Sequence, residues 1–137
     1  MYPCLWFDGQ AQAAAQFYCG IFKNSKITAD NQMVVTFELN GMHFMGLNGG
    51  PQYKFNEAVS FVVDCETQEE IDHYWTKLTA DGGSPGKCGW LKDKFGVSWQ
   101  IVPKILPKLM SNPEKVQKVM AAYMQMTKFD IKALENA

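Results

Sequence analysis

Several common signatures are missing from this chain, and each absence closes a class of function. Lys and Arg form no dense cluster and the net charge is −1. The basic face that nucleic acid or an anionic membrane would need is therefore not there. No apolar run approaches the roughly 20 residues that span a bilayer. The start, MYPCLWFDG, has no basic region followed by a long apolar stretch, so no signal peptide is expected and a cytoplasmic location is. Cysteine is sparse. Cys4, Cys19, Cys65 and Cys88 form no CxxC pair, and they read as reduced thiols acting as small buried hydrophobes. No glycine-rich GxGxxG stretch opens a helix after a strand, so S-adenosylmethionine or a dinucleotide bound in the usual manner has no support. Asn48-Gly49-Gly50-Pro51 is glycine-rich but lacks the Lys-Ser/Thr ending of a phosphate loop, and it reads as a turn.

Apolar residues make up 47% of the 137 positions, enough for a real core. The most informative stretch is Cys88 to Pro103, CGWLKDKFGVSWQIVP. Its apolar flanks around a short polar turn predict a β-hairpin, with Val97, Trp99 and Ile101 on one face and Ser98, Gln100 and Val102 on the other. Earlier, Pro3 to Phe7 reads as a strand, Ala11 to Phe22 as a helix with Ala14, Phe17, Tyr18, Ile21 and Phe22 on its apolar face, and Lys26 to Asp30 as a short strand. Met33 to Leu39 and Met42 to Leu47 are strands joined by the Asn40-Gly41 turn. Val59 to Val63 is a further strand. Thr67-Gln68-Glu69-Glu70 is a capping box opening a helix that buries Ile71, Tyr74, Trp75 and Leu78. Asn112-Pro113 predicts a helix start, with Val116, Val119, Met120, Tyr123 and Met124 as an apolar stripe of core filler, and Asp130 caps a last helix.

The chain repeats itself. Cys4-Leu5-Trp6-Phe7-Asp8 lies on Ser60-Phe61-Val62-Val63-Asp64, Tyr18 on Tyr74 and Phe22 on Leu78, all at an offset of 56. Likewise Gly41 lies on Gly96, which sets His43 on Ser98 and Met45 on Gln100. Each half is a strand, a helix and a run of strands, a β-α-β-β-β unit doubled. Asp8 and Asp64 each end a strand before a helix, so turn formation and capping explain that carboxylate pair.

The stretches CLWFDGQAQAAAQFY, FMGLNGGP, FNEAVSFVVDCETQEEIDHYW and CGWLKDKFGVSWQIVP resemble the vicinal oxygen chelate superfamily of glyoxalase I, bleomycin-resistance proteins and extradiol dioxygenases. They are most similar to its PhnB-like, or demethylubiquinone methyltransferase-like, branch. The resemblance implies an α+β fold, two tandem βαβββ modules forming a curved mixed sheet around a cavity, with C-terminal helices. It implies one domain over 1–137, with module one at about 1–52, module two at about 53–103 and helices over 104–137. The loop Ile27 to Met33 is shorter than in such relatives.

Metal-dependent members of the superfamily hold a divalent ion with four side chains. By motif these positions fall on Pro3, Met45, Gln100 and either Ala58 or Val59. Pro, Ala and Val carry no donor, Met is a soft one and Gln a weak neutral one, so no metal and no cofactor is expected. With Met45 and Gln100 facing a cavity, strand alternation is expected to add Leu5, His43, Phe61 and Ser98, and Asn48 to Pro51 would form its rim. His43 offers an imidazole there, as a polar anchor or base or simply as an edge residue. His73 lies on the polar side of its helix. No catalytic residue is assigned. The expected partner is a small apolar or aromatic ligand, with no nucleic acid or membrane, in a homodimer. The alternatives are an enzyme of the same fold that works without a metal or with an atypical one, the methyl transfer in the label of the branch, and a dimeric association module with a filled cavity.

Overall fold

The computed structural model describes residues 1–137. The chain forms two compact units, Met1–Phe55 and Asn56–Ala137.

The first unit runs β1 (Cys4–Phe7), α1 (Ala11–Ile21), β2 (Lys26–Asp30), β3 (Val34–Leu39) and β4 (Met42–Asn48). Its sheet has the order β1-β4-β3-β2, with β1 parallel to β4 and the other pairs antiparallel. Val35, Phe37 and Leu39 alternate on one face of β3, and all three are buried with Phe44 of β4. Phe37 and Phe44 stack with centroids 5.4 Å apart, and Tyr18 of α1 lies against Phe37. The helix buries Ala11, Ala14, Ala15, Tyr18 and Ile21. The three alanines bring its backbone close to the sheet, and each large apolar side chain so buried contributes about 1.5–3 kcal/mol.

The start of α1 is served from a distance. Gln10, at its N-cap, makes no side-chain bond, and Asp8 does not cap it. Instead the Ala11 amide donates to Asn48 Oδ1 at 2.8 Å, while Asn48 Nδ2 donates to Gln12 Oε1 and to the Gln32 carbonyl. Asn48, read from sequence as part of a turn, thus ties the end of β4 to the helix and to the β2–β3 connection.

The second unit repeats the order: β5 (Ser60–Cys65), α2 (Gln68–Leu78), β6 (Ser84–Pro85), β7 (Trp90–Lys92) and β8 (Ser98–Pro103), followed by α3 (Leu106–Met110), α4 (Val116–Met124) and α5 (Ile131–Glu135). Its sheet order, β5-β8-β7-β6, is that of the first unit. The fold is therefore the expected doubled βαβββ arrangement with C-terminal helices. Thr67 caps α2 by accepting from the Glu70 amide at 3.2 Å, and Ile71 and Leu78 are fully buried. Asp130 caps α5 through the Ala133 amide.

Three local expectations are corrected. Asn112-Pro113 forms a turn, in which the Asn112 carboxamide oxygen accepts from the Glu114 amide, and α4 begins only at Val116. Within the α4 stripe Val119 alone is buried, and Met124 is 56% exposed. Of the cysteines only Cys65 is buried, and Cys4 is exposed. Burial, with the Glu70 and Asp64 charges adding to it, pushes the Cys65 thiol up to about 12, which leaves it inert as a nucleophile.

Candidate functional site: a roofed cavity in the second unit

The strand registers decide which residues face together. In the second unit Ser60 pairs with Ser98, Phe61 with Trp99 and Val62 with Gln100. Gln100 and Ser98 thus share one face with Ser60 and Val62. Phe61 lies on the other face, its ring 5.4 Å from that of Trp99. In the first unit Cys4 pairs with Met45 and Leu5 with Gly46, so Leu5 joins the core side, 7% exposed. The expectation that Leu5 and Phe61 share the face of Met45 and Gln100 is therefore corrected. The register of a parallel pair is not written in either strand alone, and one residue of slip reverses every side chain. His43 and Met45 do share a face, since they alternate along one strand. His43 packs edge-on against Tyr2, centroids 4.4 Å apart.

On the Gln100 face of the second sheet lies a half-open cavity of about 380 Å³. Its floor is Trp90 and Cys88 from β7 and its approach, with Gln100 and Val102 from β8. Its roof comes from the C-terminal helices: Leu106 and Met110 of α3, Tyr123 and Met124 of α4, and Phe129 beyond them. Sequence reading missed this roof, because contacts across 30 residues leave no periodic trace. The nearest signal was the Met- and Tyr-bearing stripe of α4.

The roof is held by a set of specific bonds. The Cys88 and Gly89 amides donate to the Met126 and Thr127 carbonyls, each at 2.8 Å. Gln68 of α2 clasps the chain further on, its Nε2 donating to the Phe129 carbonyl at 3.0 Å and its Oε1 accepting from the Ile131 amide at 2.9 Å. Lys128 pairs with Asp72 at 2.7 Å, and its ammonium group holds that carboxyl below the usual range.

Two polar groups on the sheet face need an account. Gln100 Nε2 donates to Ser60 Oγ at 2.9 Å, so its amide does have a fixed neighbour. Its carbonyl oxygen takes no hydrogen bond from the protein. Ser98 is 1% exposed and its hydroxyl has no partner. An unpaired buried hydroxyl costs about 1–3 kcal/mol. Ser98→Ala is therefore expected to raise the unfolding free energy by about 1 kcal/mol in urea titrations, and a loss of that size would show that the hydroxyl is bonded.

The four positions that superfamily resemblance maps to a metal do not fit a divalent ion. Pro3, Ala58 and Val59 have no side-chain donor, Met45 offers a soft thioether, and Gln100 offers a single neutral amide oxygen, too weak a set for a hard divalent ion. No three His, Cys, Asp or Glu side chains come together anywhere in the chain in a way that could hold a metal.

A doubled βαβββ fold with two four-stranded mixed sheets of one topology defines a vicinal oxygen chelate protein. More narrowly, the chain belongs to the PhnB-like family, whose model, described as 3-demethylubiquinone-9 3-methyltransferase, matches residues 1–102. Among solved structures it is similar to the PhnB protein from Bacillus cereus, with 33% identity over 75% of this chain and 98% of that one and a TM-score of 0.69. Protein PA1353 from Pseudomonas aeruginosa shares 19% identity over 76% of this chain and 96% of that one, with a TM-score of 0.61. The fosfomycin resistance protein FosX from Listeria monocytogenes, complexed with Mn(II) and sulfate, shares 14% over 79% and 95%, with a TM-score of 0.57. At these lower identities the last two show the fold alone. No curated protein matches the chain.

Proposed function

We propose that this PhnB-like protein binds a small apolar or aromatic molecule in the second-unit cavity without a metal. The observation that carries this reading is the cavity itself. It falls in the volume range of about 300–1,000 Å³ usual for small-molecule sites, and its lining is three aromatic rings, two methionines and aliphatic side chains around one amide. Methyl transfer, which the family description names, asks for a methyl donor, and the sequence carries no glycine-rich strand-to-helix turn to hold one in the usual manner. Binding is thus the activity best supported. The four unpaired cysteines suit a reducing cytoplasm.

The test is saturable quenching of tryptophan fluorescence by neutral naphthalene derivatives. Binding is expected to survive EDTA and to fall at least tenfold in Val102→Trp, which fills the cavity. Binding that vanishes with EDTA and returns with Mn²⁺ or Zn²⁺, or that ignores Val102→Trp, would overturn the reading. We propose also that the protein is a homodimer. Sedimentation equilibrium at micromolar concentration is expected to give twice the mass of the chain, and monomer alone would refute it.

A further inference from the structure

We infer that the ligand of this cavity is an uncharged aromatic molecule presenting a hydroxyl or N–H donor to Gln100 Oε1. The inference rests on the binding reading above and names its chemical class.

Charge is decided first. None of the side chains lining the cavity is Asp, Glu, Lys or Arg, and the whole chain contains no arginine. A carboxylate, phosphate or ammonium group taken into such a site would lose part of its hydration and meet no counter-charge among the lining side chains, which disfavours it. Arginine, the residue best shaped to grip a carboxylate or phosphate with two parallel bonds, is not available from any part of the molecule.

The polar handle is decided next. Ser60 on the neighbouring strand accepts from Gln100 Nε2 at 2.9 Å, with the amide oxygen turned away from that bond. The oxygen of that amide is left with no protein donor. Gln100 is half-buried beneath the roof, so a ligand that displaces water from it without replacing the lost bond binds more weakly. A ligand O–H or N–H replaces it. The one hydroxyl-bearing residue of the lining, Tyr123, brings its own proton and can either donate or accept. A phenolic oxygen can therefore give its proton to Gln100 and accept one in turn. The flat shape follows from Trp90, Tyr123 and Phe129, with Met110 and Met124 adding polarizable contacts to a ring.

The experiment compares three probes of one ring system by fluorescence titration: 2-naphthol, 2-methoxynaphthalene and 2-naphthoate. The methyl ether keeps the oxygen and loses only the donor. Wild-type protein is expected to bind 2-naphthol about 5–10-fold more tightly than the ether and to bind the carboxylate weakest. Gln100→Leu should bring the naphthol-to-ether ratio close to one while the ether keeps its affinity. Ser60→Ala, which frees the amide to turn, should reduce the ratio in part. Thermal melts of the variants establish that they fold, and the wild-type ratio stands as a test without them. Equal affinity for naphthol and ether in the wild type, a ratio that persists in Gln100→Leu, or preference for the carboxylate overturns the inference and leaves the binding reading intact. Failure of all three probes to bind overturns both.

Discussion

Gly89→Ala is expected to lower the unfolding free energy by about 3 kcal/mol or more and to release the roof of the cavity. Two costs combine there. Gly89 has a φ of +81°, and a Cβ built on it would lie 2.5 Å from the Phe129 ring and 2.8 Å from the Ile101 carbonyl oxygen. A left-handed backbone costs a residue with a Cβ about 1–2 kcal/mol, and overpacking a well-filled contact costs about 1–3 kcal/mol more. The clash also has a direction. It pushes on Phe129, which is 2% exposed, and on the strand of chain whose Thr127 carbonyl accepts from the Gly89 amide. Hydrogen exchange of the α4 and α5 amides should therefore accelerate more than that of β5. Gly96 is the control, since it has a φ of +90° and nothing within 4 Å of its Cβ position. Gly96→Ala is expected to show the conformational cost alone. Equal losses for the two variants would mean that the Phe129 contact carries no weight.

Asp93→Ala is expected to cost about 3–5 kcal/mol and to disorder the β7–β8 turn. Asp93 is 3% exposed. Its Oδ1 accepts from the Phe95 amide at 2.8 Å and the Val97 amide at 3.1 Å, and its Oδ2 accepts from Trp99 Nε1 at 2.9 Å. Bonds to a charged acceptor are worth about 1.5–3 kcal/mol each, and removing it strands the buried indole N–H. Asp93→Asn keeps the shape but turns an amide N–H toward the indole N–H if its oxygen stays with the two backbone donors. About half the loss is expected. Trp99→Phe removes the indole donor, so Asp93→Asn should cost less in that background. A double-mutant cycle with no coupling between the two positions would sink this account.

Much of the frame could be read from the residues themselves. The repeat at an offset of 56 aligns β1 with β5 and α1 with α2, and both sheets have the same strand order. Local signals carried this: alternation in β3, β4 and β8, and the Thr67 and Asp130 caps. What failed was of longer range. The pairing of β1 with β4, and of β5 with β8, joins segments about 40 residues apart through a parallel crossover. No turn links them to set the register, so alternation alone does not fix the faces of Leu5 and Phe61. Asn48 serves α1 across 37 residues, and nothing beside Ala11 announces it. The cavity escaped for the same reason. Gln100 could be named because the superfamily resemblance maps a metal position onto it, whereas Leu106, Met110 and Phe129 look like any core residues until the chain folds back.

The position of the roof has a consequence for how such a protein can change. The family model stops at residue 102, and the helices that close the cavity come after it. Floor and ceiling are thus carried by separable lengths of chain. A substitution at Leu106 or Met110 resizes the cavity while every strand pairing stays as it is. A substitution at Trp90 or Gln100 disturbs the sheet as well. New ligand preferences are therefore most accessible through the tail, and two proteins with nearly identical first hundred residues can differ in what they hold.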